Sequence, residues 1–143
     1  MKTVSQLLQT KGCHVWSIGP EAWVIDALKL MADKEVGALL VLEAGQVVGI
    51  LSERDYARKV SLQGKSSKST RVGEIMTEKV VYVRPDQTVG DCMALMTSKR
   101  IRHLPVLEGD QLMGVISIGD VVKAVISEQE FMITQLENYI IGR

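Results

Sequence analysis

Two kinds of apolar spacing alternate along this chain, and they recur in the same order twice. Helical spacing, with apolar residues three and four apart, runs from Val4 to Leu8 and stops at Lys11-Gly12. It returns after Pro20 and Glu21, where Val24, Ala27, Leu28 and Met31 share a face. Between and after these lie short apolar runs of strand length. Val15 to Ile18 is one, Gly37 to Leu42 a second, and Val47 to Leu51 a third. Ala44-Gly45 is a turn signal, so the second and third runs form a hairpin. Ser52 opens a further helix, from Asp55 to Val60. The stretch from Gly64 to Thr70 is polar and reads as a flexible linker. After it come a short helix at Val72 to Met76, a strand at Val80 to Val83 and a helix at Val89 to Ser98. A strand at His103 to Leu107, a turn at Gly109-Asp110 and a strand at Leu112 to Ile116 complete the second round. The last helix starts near Ile118 and extends towards Ile140, with Val122, Val125, Ile126, Ile133 and Leu136 on its apolar positions.

The recurrence reaches individual residues. Pro20, Asp26, Met31 and Lys34 reappear as Pro85, Asp91, Met96 and Lys99, and Gly49, Ser52 and Asp55 as Gly114, Ser117 and Asp120, a constant offset of 65. Each unit is strand–helix–strand–strand–helix, and one such unit buries too little surface to be stable alone. The expected architecture is α/β (α+β): two β-α-β-β-α repeats related by a pseudo-two-fold axis, packed sheet to sheet, with clefts between them as natural ligand sites. The first repeat is placed at residues 7–62, a linker at 63–71, the second repeat at 72–128 and a helical extension at 129–143.

Composition narrows the partners. Seventeen basic and seventeen acidic residues leave a formal net charge of zero, which argues against nucleic acid. No apolar run reaches membrane length, and the amino terminus lacks a signal-type segment. Cys13 and Cys92 are far apart and not equivalent across the repeat, so neither a disulfide framework nor a metal cluster is expected. The reading is a protein of the cytoplasm.

The candidate chemistry lies at two junctions, Ser52-Glu53-Arg54-Asp55 and Ser117-Ile118-Gly119-Asp120. A serine followed three residues later by an acid is a capping box. The same geometry can serve a ligand: a helix amino terminus and a serine hydroxyl donate to phosphate, and a carboxylate accepts both hydrogen bonds of a ribose diol. In Lys99-Arg100-Ile101-Arg102-His103, basic and titratable side chains precede a buried strand, whereas the first repeat has Gly37 and Ala38 opposite Arg102 and His103. Arg102 offers a planar donor fork for phosphate oxygens, and Arg54 is its candidate counterpart in the first repeat. No nucleophile–base pair, metal set or paired carboxylates stand out, so no enzyme activity is expected.

Gly49-Ile50-Leu51-Ser52-Glu53-Arg54-Asp55, Gly114-Val115-Ile116-Ser117-Ile118-Gly119-Asp120 and Arg102-His103-Leu104-Pro105-Val106, in this double pattern, resemble a tandem pair of CBS (cystathionine β-synthase type) domains of the stand-alone bacterial kind. The resemblance implies a regulatory module that binds AMP, ADP, ATP, NAD(H) or S-adenosylmethionine. It implies that Asp55 and Asp120 hold ribose, that Ser52, Ser117, Arg102 and His103 meet phosphate, and that Ile50 and Val115 flank adenine. It further implies a homodimer that regulates a partner protein and does not catalyse. The alternative is an interaction module with vestigial clefts that acts through dimerisation and its last helix.

Overall fold

The computed structural model describes residues 2–142. The element order is α1 (Val4–Lys11), β1 (Ser17–Ile18), α2 (Val24–Lys34), β2 (Ala38–Glu43), β3 (Gln46–Ser52), α3 (Glu53–Tyr56), α4 (Val72–Ile75), α5 (Val89–Lys99), β4 (His103–Glu108), β5 (Gln111–Ser117) and α6 (Ile118–Ile140). Strands β1, β2 and β3 form one sheet in that order, and β4 and β5 form a second. The mixed α+β architecture with two repeats is the one the sequence pattern calls for.

The chain divides into two compact units. One, the first-repeat unit, comprises His14–Val81 with Asp110–Leu112; the other, the second-repeat unit, comprises residues 2–13, Tyr82–Gly109 and 113–142. The opening helix of each repeat is therefore grouped with the other repeat. Backbone bonds show how. In the second-repeat unit Val4 N donates to Gln87 O and Ser5 N to Pro85 O; in the first-repeat unit Val72 N donates to Ala22 O and Gly73 N to Pro20 O.

Each unit has an apolar centre built from the faces that the spacing marked. In the first-repeat unit Val24, Ala27 and Met31 of α2 pack with Leu39, Val41 and Leu51 of the hairpin and with Val60, Val72 and Ile75. In the second-repeat unit Val89, Cys92 and Met96 of α5, Leu104, Val106 and Ile116 of the hairpin, and Val4 and Leu7 of α1 are buried. The alternating burial along β3 and β5 is identical, residue for residue.

Several elements differ from the expectation, each for a local reason. Helix α2 begins at Val24, because the amides of Val24 and Ile25 donate to Thr70 O and Ser67 O. The same bonds anchor the stretch read as a flexible linker, and the Thr70 hydroxyl donates to Ser66 O at 2.7 Å. The helix expected from Asp55 to Val60 is α3 followed by a wider π turn over Ala57–Ser61. The strand expected at Val80 to Val83 is a single parallel bridge, Val83 to Val106. In the first repeat Leu40 N donates to Trp16 O. Pro105 stands at the equivalent place and has no N–H to give, so that rung is lost.

Gly49 and Gly114 lie where the sheet meets the opening helices. A β-carbon at Gly49 would stand 2.6 Å from Met76 Sδ and 3.1 Å from the Thr77 carbonyl oxygen; one at Gly114 would stand 2.8 Å from the Leu8 Cδ2 methyl. Thr77 is pinned by two backbone bonds to Ile50, whereas the contacts at Gly114 are all with the end of one side chain, Leu8. Gly49→Ala is expected to destabilise by about 1–3 kcal/mol, and Gly114→Ala by less. Thermal unfolding of the two variants checks the order; equal losses would contradict it.

Candidate functional site

Both Ser-x-x-Asp junctions are complete capping boxes. In the first-repeat unit Asp55 N donates to Ser52 Oγ at 3.1 Å, and Asp55 Oδ2 accepts from Ser52 N at 2.9 Å and from Ser52 Oγ at 3.1 Å. In the second-repeat unit Asp120 N donates to Ser117 Oγ at 3.2 Å, and Asp120 Oδ2 accepts from Ser117 N at 2.8 Å and Ser117 Oγ at 2.9 Å. The strand hands its last residue to the helix as N-cap, which aims the carboxylate back across the strand end.

Each carboxylate has additional partners, and these differ. Asp55 Oδ1 accepts from the Thr77 hydroxyl at 3.2 Å and pairs with Lys59 Nζ at 3.3 Å. Thr77 also exchanges backbone bonds with Ile50, at 3.0 and 2.9 Å. At the other junction Lys11 Nζ, reaching from the last residue of α1, donates to Asp120 Oδ2 at 2.5 Å and to the Val115 carbonyl at 2.6 Å. One ammonium thus makes the two contacts that the Thr77 amide and hydroxyl make in the first-repeat unit: to the strand carbonyl and to the aspartate.

The second-repeat unit gathers Ser117, Asp120, Arg102 and His103 around this point. Ile118 N donates to Arg102 O at 2.9 Å, joining the entry of β4 to the start of α6. Arg102 is exposed and His103 half-buried, and His103 feels the charges of Lys11, Asp120 and Arg102. The first-repeat unit gathers Ser52, Asp55 and Ile50, with Arg54 exposed on the first turn of α3. Val115 and Ile50 are half-buried strand residues immediately before the two junctions.

Sequence reasoning missed Lys11, Thr77 and Lys59. Lys59 was readable as the i+4 partner of Asp55. Lys11 was not, because the offset of 65 fails in the opening helices: the matching bonds of Ser5 and Gly73 to Pro85 and Pro20 place the equivalence there at 68. Among the described residues, no group of three His, Cys, Asp or Glu converges to hold a metal. No helix of the described residues is long and apolar enough to cross a membrane. Burial, with Asp91 beside it, pushes the Cys92 thiol up to about 11, so it packs as a neutral side chain.

Comparison with known proteins matches both halves of this pattern. The model of the CBS domain fits residues 8–62 and 72–127. The chain is 43% identical to the mitochondrial CBS domain-containing protein CBSX3 of Arabidopsis thaliana, over 98% of this chain and 72% of that one. A solved protein with CBS domains from Burkholderia ambifaria is 55% identical, superposes with a TM-score of 0.86, and covers 90% of this chain and 96% of its own. A hexameric CBS-CP12 protein from bloom-forming cyanobacteria is 33% identical with a TM-score of 0.75, covering 85% of this chain and 66% of that one.

The site's charges make stability depend on pH in one direction. Burial, then the Lys11 charge, lowers the His103 pKa below its ordinary 6.5, with Arg102 adding to the fall and Asp120 opposing it. The unfolded chain therefore binds this proton more readily, so the contribution of neutral His103 is full above pH 6.5 and is lost as pH falls towards the folded value. For Asp120, burial raises the pKa, but the bonds from Lys11 and Ser117 outweigh it and hold the carboxyl below its ordinary 3.8. Its contribution is present above that ordinary value and is lost only as the pH falls through the folded one. The unfolding midpoint is expected to fall between pH 7.5 and 5.5, and His103→Asn to flatten that fall. Differential scanning calorimetry across this range checks it; an unchanged slope in the variant would contradict the assignment.

Proposed function

The chain belongs to the CBS-domain family, and we propose that it is a regulatory, non-catalytic module that binds an adenosine-containing nucleotide, AMP, ADP, ATP or NAD(H), at its Ser-x-x-Asp junctions. CBS-pair proteins are regulatory modules that typically bind adenosine ligands. The observation that carries the reading is the repeated placement of one carboxylate, Asp55 and Asp120, beside a strand end with a serine hydroxyl at hydrogen-bond distance. In this reading Asp120 and Asp55 accept from the ribose hydroxyls. Ser117, Ser52, Arg102, His103 and Arg54 meet phosphate, and Val115 and Ile50 flank the adenine. A ligand that favours one arrangement of the module over another shifts its population, which is how a module without chemistry can regulate a partner.

The test is thermal unfolding against AMP, ADP, ATP, NAD, NADH and S-adenosylmethionine. A ligand at a hundred times its dissociation constant stabilises by about 2.7 kcal/mol. That is a shift of several degrees for a domain of this size. A selective shift that Asp120→Ala reduces is the expected result; no shift with any ligand would reject the reading.

A second reading, an interaction module, rests on α6. Phe131, Met132, Leu136 and Tyr139 are 65%, 56%, 60% and 83% exposed. An apolar cavity of about 260 Å³ lies along α5 and α6, lined by residues that include Met93, Met96, Ile118, Val122 and Ile126. Exposed apolar surface on this scale calls for a partner, here a second copy of the chain. The hexameric relative shows that assembly occurs within the family. Removing the residues after Glu128 is expected to abolish self-association in light scattering while nucleotide binding persists. Unchanged mass would remove α6 from the interface.

A further inference from the structure

Lys11 carries an inference that rests on the nucleotide reading above and extends it to ligand choice. Its ammonium donates to Asp120 Oδ2 at 2.5 Å and to the Val115 carbonyl at 2.6 Å. Asp120 Oδ2 also accepts from the amide and hydroxyl of Ser117. Three donors thus converge on one carboxylate oxygen. At Asp55 the donors divide, with Ser52 on Oδ2 and Thr77 and Lys59 on Oδ1. The Ser117 amide is fixed by the cap, and a carboxylate oxygen has two lone pairs. A diol that takes both oxygens of Asp120 therefore displaces the two side-chain donors from Oδ2: the Ser117 hydroxyl, which turns to phosphate in the reading above, and the Lys11 ammonium.

A displaced ammonium needs a new anionic partner, because the pair is half-buried: the Lys11 and Asp120 side chains are 27% and 19% exposed. A ligand phosphate supplies that partner, and an uncharged nucleoside does not. The lysine stem is flexible enough to change partners without moving the backbone. At Asp55 the donor that bridges to the strand is the neutral Thr77, and the ammonium there, Lys59, is 45% exposed and also held by the Ile75 carbonyl, so it can leave the carboxylate without a ligand phosphate. We propose that Lys11 makes the Asp120 site select anionic adenosine ligands over uncharged ones, by exchanging its aspartate partner for a ligand phosphate.

The proposal separates the two ligands in opposite directions. Lys11→Met removes the charge and keeps the stem, so AMP loses its phosphate partner while adenosine no longer competes with an ammonium for Asp120. Binding of AMP and of adenosine is measured by calorimetry in an Asp55→Ala background, so that only the Asp120 site is read. The preference for AMP over adenosine is expected to fall about tenfold or more in Lys11→Met, the scale of one hydrogen bond between charged groups. Adenosine is expected to bind as well or better. Lys11→Arg, which keeps the charge, should retain most of the preference. A preference within about twofold of the parent in Lys11→Met overturns the role of Lys11 alone, as does loss of the preference in Lys11→Arg. A parent protein that binds neither AMP nor adenosine overturns the nucleotide reading, and this inference with it.

Discussion

The junction between the last hairpin strand and the following helix rests on a reciprocal bond set between one serine and one aspartate. The serine hydroxyl accepts the amide of the aspartate, and the aspartate accepts the amide and hydroxyl of the serine. These bonds satisfy amides that a helix start leaves without partners, and they point a carboxylate back over the strand end. The strand before each junction is held by burial, with Leu51 and Ile116 fully inside. Core packing therefore sets the position of the strand, the strand sets the serine, and the serine sets the aspartate. The functional reading needs no geometry beyond what folding already requires.

Beyond Arg54 opposite Gly119, a difference between the two junctions lies outside the repeated motif. The opening helices supply it: α1 runs one turn further than α4 and ends in Lys11, while the chain after α4 enters a bridge at Thr77. The same two acceptors, a strand carbonyl and an aspartate, are met by an ammonium in one unit and by a neutral amide and hydroxyl in the other. Burial lowers the His103 pKa and the half-buried Lys11 ammonium adds to the fall; at Asp120 burial raises the pKa, and the bonds from Lys11 and Ser117 outweigh it. Each aspartate pairs with one lysine, but only Lys11 also bridges to the strand carbonyl, so the two junctions share a frame and differ in how the ammonium is held.

The repeated frame was legible in the sequence because it is written in apolar period and in motifs at a constant offset. Leu39, Val41 and Gly49 predict Leu104, Val106 and Gly114 without any structure. Local substitutions that break the symmetry were also readable in principle: Pro105 in place of Leu40 removes a sheet donor, and Lys59 lies one helical turn from Asp55. Contacts made across a long stretch of chain were not. Lys11 and Asp120 are 109 positions apart, and the opening helices fall out of register with the rest of the repeat. The anchored stretch before α4 was hidden for a similar reason. Its polar composition is that of a free linker, and only the amides of Val24 and Ile25 reveal that its carbonyls cap α2.

The most direct test of the account is a titration of the isotope-labelled protein with AMP, followed by the backbone amide resonances. The account predicts saturable shifts centred on Ser117, Gly119 and Asp120, with Lys11 moving in parallel as its ammonium changes partner. Shifts confined to the exposed face of α6, or no shifts at saturating AMP, would contradict it.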